Sequence, residues 1–270
     1  MSQVVFKVSA GFLIGALVLL AVALSLSRYY IGEQQRLAAA GDTEGALRMA
    51  ERASRLDPFD TAPLESASFL RQQQGNDGEA EAALLEAIER EPNDYVPHLL
   101  MGGFQLGSAG DFEAAAESYR RVLELNPRAD IANSSLAQAL IRQGKLKEAR
   151  EEYAKLEERG GIMVQDLFDL GRLQVRTGEA EEGFKTIKQA RRRAENEMKK
   201  MEDGPIKEQR EELIRSMDLA LADALVAQGR YEPARAIIAR SPAPQAPGLL
   251  ELLTSDPEGY RELVINDELS

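Results

Sequence analysis

His98 is the one imidazole in the chain, and there is no cysteine. A metal site would need several His, Cys, Asp or Glu residues at ligand spacing. A histidine-driven nucleophile would need a Cys, Ser or Thr held beside the ring. Neither pattern surrounds His98, which falls near the start of a helix-forming segment and reads as a partly exposed packing residue. Without Cys there can be no disulfides, thiolate metal sites or thiol catalysis. Asp and Glu number 45 against 33 Lys and Arg, but they occupy outward helix positions and no pair is singled out for acid–base work. The glycines recur at turn spacing and form no phosphate-cradling loop. A net charge of -12 matches a polyphosphate backbone poorly, so nucleic acid is not an expected partner. The expectation is therefore no enzyme, no cofactor and no metal, in a chain whose chemistry is recognition.

Two kinds of element must position any recognition surface. The first is VSAGFLIGALVLLAVALSL, 8–26, an uncharged run that as a helix spans roughly 28 Å, close to the hydrocarbon thickness of a bilayer. Lys7 precedes it, while Arg28, Tyr29 and Tyr30 follow as headgroup-layer residues. This predicts a signal anchor behind a short amino-terminal tail, 1–7, in a single-pass membrane protein. The alternative is a signal peptide cleaved near Ser25-Leu26-Ser27. The amino terminus and Lys7 weigh against Arg28 and Arg36, and the balance leans toward a body outside the cytoplasm.

The second element is a repeat. GDTEGALRMAERASRLDP (41–58), GNDGEAEAALLEAIEREP (75–92) and GDFEAAAESYRRVLELNP (110–127) end on Pro58, Pro92 and Pro127, 34 and 35 residues apart. Such a period marks stacked helix–turn–helix units. The leading Gly closes one helix, an Asp or Asn caps the next, and the Pro stops it. Counting back from each Gly finds small residues in the preceding helix, at Ser68, Gly103, Ala137, Gly171 and Ala222. The second helices carry theirs at Ala46, Ala80, Ala115, Ala149, Gly183 and Ala234. Large groups one turn on, such as Leu84, Tyr119, Tyr153, Ile187 and Ile238, complete a one-sided packing stripe.

These positions resemble the tetratricopeptide repeat, with Pro97, Gly103, Ala115, Tyr119 and Pro127 as the fullest match. The resemblance implies an all-α, right-handed superhelical solenoid following the transmembrane helix. It spans 27–241 in six units: 27–60, 61–95, 96–129, 130–163, 164–197 and 215–241. The family's frequent Trp is absent. Glu33 and Gln34 stand where small or apolar residues are usual, so the first unit is expected to run on from the membrane span and to pack poorly.

Residues 191–215 are extra to the repeat and read as a projecting hairpin turning at Gly204-Pro205. Its cations Arg191, Arg192, Arg193, Lys199 and Lys200 could meet anionic lipid or an acidic partner, or could be satisfied by Glu195, Glu197 and Glu211. Residues 242–270 read as a linker and a helix that caps the stack or docks elsewhere.

In the resembled family a concave groove is lined by first-helix residues. By that resemblance the groove set here is Glu65, Phe69, Gln72, Leu100, Phe104, Ser134, Gln138, Phe168 and Arg172. Relatives that clamp chaperone tails use Lys and Asn at such places, and this chain has neither there. Phe69, Phe104 and Phe168 would instead align an aromatic row for an apolar ligand side chain. The function implied is a membrane-anchored scaffold binding partner proteins, in an envelope assembly or biogenesis complex. A self-associating spacer without a peptide groove is the rival.

Overall fold

The computed structural model describes residues 2–266, with side chains from Leu13 onward. Met1 and positions 267–270 of the expected tail lie outside the described residues. Among those residues there are fourteen α-helices, one π-helical turn and no strand. They gather into two compact halves that divide after Arg128.

In the first half, α1 (Ser2–Ala39) pairs with α2 (Thr43–Leu56), α3 (Ala62–Gln73) with α4 (Asp77–Arg90), and α5 (Tyr95–Phe104) with α6 (Phe112–Leu125). The amino-terminal residues expected as a separate tail belong to α1, which has no break between the apolar run and the first repeat. The first pair is also well packed. Ala46, Ala50 and Ala53 of α2 are buried, Ser27 Oγ donates to the Ala53 carbonyl at 3.1 Å, and Arg52 lies over the Tyr30 ring at 5.7 Å. Gln34, expected to disturb this packing, is buried with its Nε2 lacking a hydrogen-bond partner, so that position is the poorly satisfied one.

Local signals start and stop these helices. Asp42 and Asp111 accept from the amides of Gly45 (2.8 Å) and Ala114 (3.0 Å), satisfying otherwise unpaired first-turn donors. At the opposite ends the chain turns through left-handed glycine, as at Gly75 with φ +74°. The small second-helix residues then let the pairs close: Ala46, Ala80 and Ala115 are fully buried, and Leu84 packs with Met101, Phe104 and Ile88. Each such buried Leu contributes about 1.5–3 kcal/mol.

One turn departs from the repeat. After α5 the chain makes a π-helical turn, Gln105–Ala109, before left-handed Gly110. The closing bond runs from the Asp111 amide to the Gln105 carbonyl, six residues back. The matching bonds Asp42 to Leu37, Asn76 to Arg71, and Lys145 to Leu140 each span five. One extra residue is therefore held in the helix end, and everything upstream is displaced by one place. The residue packed against Tyr119 is Gly102, where an added Cβ would meet the ring at 2.8 Å. Gly103, expected in that role, is exposed, and a Cβ added there would come no nearer than 3.9 Å, to the Tyr119 hydroxyl.

In the second half, α7 (Asp130–Arg142) pairs with α8 (Leu146–Glu158), α9 (Val164–Arg176) with α10 (Ala180–Met198), and α11 (Pro205–Ala227) with α12 (Tyr231–Ile238). α13 (Ala246–Ser255) and α14 (Pro257–Asn266) follow. The approach of α9 to α10 is the tightest, because a Cβ on Gly183 would sit 2.6 Å from the Gly171 carbonyl. Tyr153, Ile187 and Ile238 are buried beside Ala149, Gly183 and Ala234. α10 and α11 are prolonged beyond the usual repeat length and meet at Gly204-Pro205. Cross-helix ion pairs, Arg191 to Asp218 at 2.5 Å and Arg210 to Glu197 at 3.1 Å, hold them together.

Candidate protein-binding faces

The groove set falls on first helices, α3 and α5 in one half and α7 and α9 in the other. On α3, Glu65, Phe69 and Gln72 follow one another at helical spacing. Phe69 is 60% exposed. Glu65 accepts from Thr61 Oγ1 at 2.8 Å. Burial pushes its carboxyl above the ordinary range, the Thr61 bond opposes this, and the nearby Asp94 and Asp60 charges add to it. Gln72 reaches back to Ser68 Oγ at 3.4 Å.

On α5, Leu100 is 39% exposed, but Phe104 is a core residue packed with Ala80, Leu84 and Met101. The extra residue in the π turn explains the difference. Counted from its closing Gly, Phe104 matches the exposed positions Phe69 and Gln138. Shifted by one, it matches the buried positions Leu70 and Ala139. Below these helices an open hollow of about 390 Å³ is bordered by Asp57, Asp60, Glu65, Glu91 and Asp94, with the exposed Phe59 ring at its edge.

In the second half Gln138 is exposed, while Ser134 is buried and donates to Asp166 Oδ1 at 2.8 Å. Phe168 is also buried, with the Arg172 guanidinium 5.9 Å from its ring centroid. Phe69, Phe104 and Phe168 therefore form no aromatic row, since only the first reaches solvent. Asp169 and Asp223 lie within reach of the Arg172 charge, and no sequence motif marks them. Burial pushes the Asp169 carboxyl up to about 6. Bonding to Gln165 and the positive charge of Arg172 oppose that rise, and Asp166 adds to it. Burial likewise raises Asp223 of α11 to about 6, against the hydrogen bond from Tyr260 and the charge of Arg172. Asp166 is raised by burial and eased by Ser134. A repeat-by-repeat alignment could not single these residues out, because their burial depends on which helix covers them.

The prolonged hairpin is partly self-satisfied: Arg191 bonds Asp218 and Glu195, whereas Arg192, Arg193, Lys199 and Lys200 are exposed. His98 stands half-buried with its Nε2 3.3 Å from the Pro92 carbonyl, and no acidic or histidine cluster with metal-holding geometry occurs among the described residues.

A family model described as tetratricopeptide repeat matches residues 106–161. Over that stretch the chain is similar to the tetratricopeptide repeat. Solved repeat proteins share the architecture. A tetratricopeptide repeat protein from Parabacteroides merdae superposes with a TM-score of 0.59 at 17% identity, covering 90% of this chain and 92% of its own. The MamA protein gives 0.57 at 19% identity, over 67% of this chain and 98% of its own. YrrB, described as a repeat protein with an unusual peptide-binding site, gives 0.50 at 19% identity, over 60% and 82%. At such identities the likeness speaks for the fold. No curated protein matches the chain.

Proposed function

We propose that the chain is a membrane-tethered tetratricopeptide-repeat scaffold, which holds partner proteins on its first-helix faces and acts in assembly at a membrane surface, in an envelope complex. The observation that carries the tether is the continuity of α1 from Ser2 to Ala39. It is long and apolar enough to cross a bilayer, and Leu13, Ile14, Leu17, Val18, Leu19 and Leu20 are all more than half exposed. A soluble helix would bury such a surface.

The cleaved-signal alternative fits less well. Cleavage after Ser27 would cut inside a packed helix, and Ser27 is buried and bonded to Ala53. Tyr29, 64% exposed and edge-on to Tyr30 at 5.6 Å, suits the headgroup layer that would lie there. α2 packs back along α1 and would hold the first repeats close to the lipid without a flexible linker. A partner captured there is confined near the surface, which raises its effective concentration toward anything else bound to the same membrane.

For partner capture the favoured surface is the α3–α5 face, where Phe69 and Leu100 are exposed beside the acidic hollow. That combination suits a segment carrying apolar and basic side chains. Proximity labelling from the intact membrane form, compared with its Phe69→Ala/Leu100→Ala variant, tests this. A labelled set that loses the same few proteins in the variant is expected. An unchanged set, together with concentration-dependent growth in particle size, would favour the self-associating spacer.

A further inference from the structure

α14 does not extend the alternation of helix pairs. It packs mainly on α11, with smaller contacts to its neighbour α13 and to α9, and so touches the first helices of two successive pairs. It is seated by two side chains four residues apart, Tyr260, fully buried, and Val264, 7% exposed. Tyr260 Oη donates to Asp223 Oδ1 at 2.6 Å. Arg261 Nε donates to the carbonyl of Ala227 at 3.1 Å, in the last turn of α11, where the helix dipole attracts a cation. α14 also touches α9, the helix that carries Phe168 and Arg172 of the groove set.

We infer that the α9–α11 face is a docking site for an amphipathic helix of a partner protein, and that α14 is its resident occupant. The contacts of α14 define the ligand: a tyrosine whose hydroxyl reaches Asp223, an arginine at the next position for the open end of α11, and an aliphatic residue four places after the tyrosine. This rests on reading the first-helix faces as protein-binding surfaces.

The occupant is exchangeable for physical reasons. α14 has ten residues, too few to be helical alone in water, so its order comes from the contacts it makes. It joins α13 through the short turn at Asp256, whose carboxylate caps it by accepting from the Gly259 amide at 2.9 Å. Further hold comes from Tyr231 Oη on Glu258 at 2.5 Å, an exposed bond that competes with water. A longer helix presenting the same three contacts would displace it by mass action.

The test uses the intact chain in lipid nanodiscs and a fluorescent peptide of the sequence DPEGYRELVIN, residues 256–266. A Tyr260→Ala/Val264→Ala variant, which releases the resident helix, is expected to bind the peptide roughly tenfold or more tighter than the parent chain. Adding Asp223→Ala should remove that gain. Equal affinity of parent and variant overturns the inference. Amide exchange on the same samples must show parent-like protection across 205–255, since its loss would make α14 part of the fold and not an occupant. A parent chain that dimerises by trading α14 between copies would likewise overturn the assignment to a partner. Capture through Phe69 is independent of α14, so either reading can fail without the other.

Discussion

At the residue scale, burial decides what each aromatic does. Phe69 and Phe104 have the same side chain on consecutive first helices, yet one is 60% exposed and the other 4%. Phe104→Ala is expected to cost about 3–5 kcal/mol, the usual penalty for emptying a packed ring site, and to lower the melting temperature followed by circular dichroism. Phe69→Ala should stay within about 0.5 kcal/mol of the parent in the same experiment. Asp223 offers a second contrast. Its carboxyl titrates near 6 when folded, above the ordinary carboxylate of an unfolded chain near 4. The fold therefore favours the protonated acid, so its contribution is complete below about pH 4, is lost as pH rises to about 6, and is flat above that. The groups facing it, Tyr260 from α14 and Arg172 from α9, are retained in Asp223→Asn, which carries no charge to bury. The variant should melt above the parent at pH 7, and the gap should close toward pH 4. A gap independent of pH would assign the effect to packing.

At the element scale, the turn between α5 and α6 shows how a single inserted residue changes a helix's duties. The spacing of Gly, Asp and Pro was enough to place α2, α4, α6 and their partners, because caps and stops act through bonds within a few residues. It could not reveal that the end of α5 is π-helical, since the choice between five- and six-residue closure is made by what packs against the helix. Gly102→Ala is expected to destabilise, because its Cβ would meet the Tyr119 ring at 2.8 Å. Gly103→Ala, whose Cβ would make only an ordinary contact with the Tyr119 hydroxyl at 3.9 Å, should be neutral or gain up to about 1 kcal/mol of helix propensity. Deleting Gly107 removes the extra residue while keeping Met101, Gly102 and Phe104 on the buried side. Melting should therefore be preserved, and a collapse of stability would show that the π turn itself is needed.

At the scale of the whole molecule, the sequence divides into an apolar stretch and a repeated one, and α1 joins them without interruption. If that helix is an anchor, alkaline carbonate should leave the chain in the membrane pellet with a mass that includes residues 1–27. Release of a species beginning near Arg28 would instead identify a cleaved signal. The sequence by itself determined the all-α class, the repeat period and the apolar run, because each follows from local bonds or from the plain length and polarity of a segment. It also indicated where first helices offer side chains, and for Phe69, Leu100 and Gln138 the structure finds them accessible. Only the tertiary structure decided that Phe104 and Phe168 are core, that Arg172 sits near buried and half-buried acids, and that α14 packs on α11 and touches α9. Those outcomes depend on contacts between residues far apart in the chain, and no repeat period records which helix comes to cover which face.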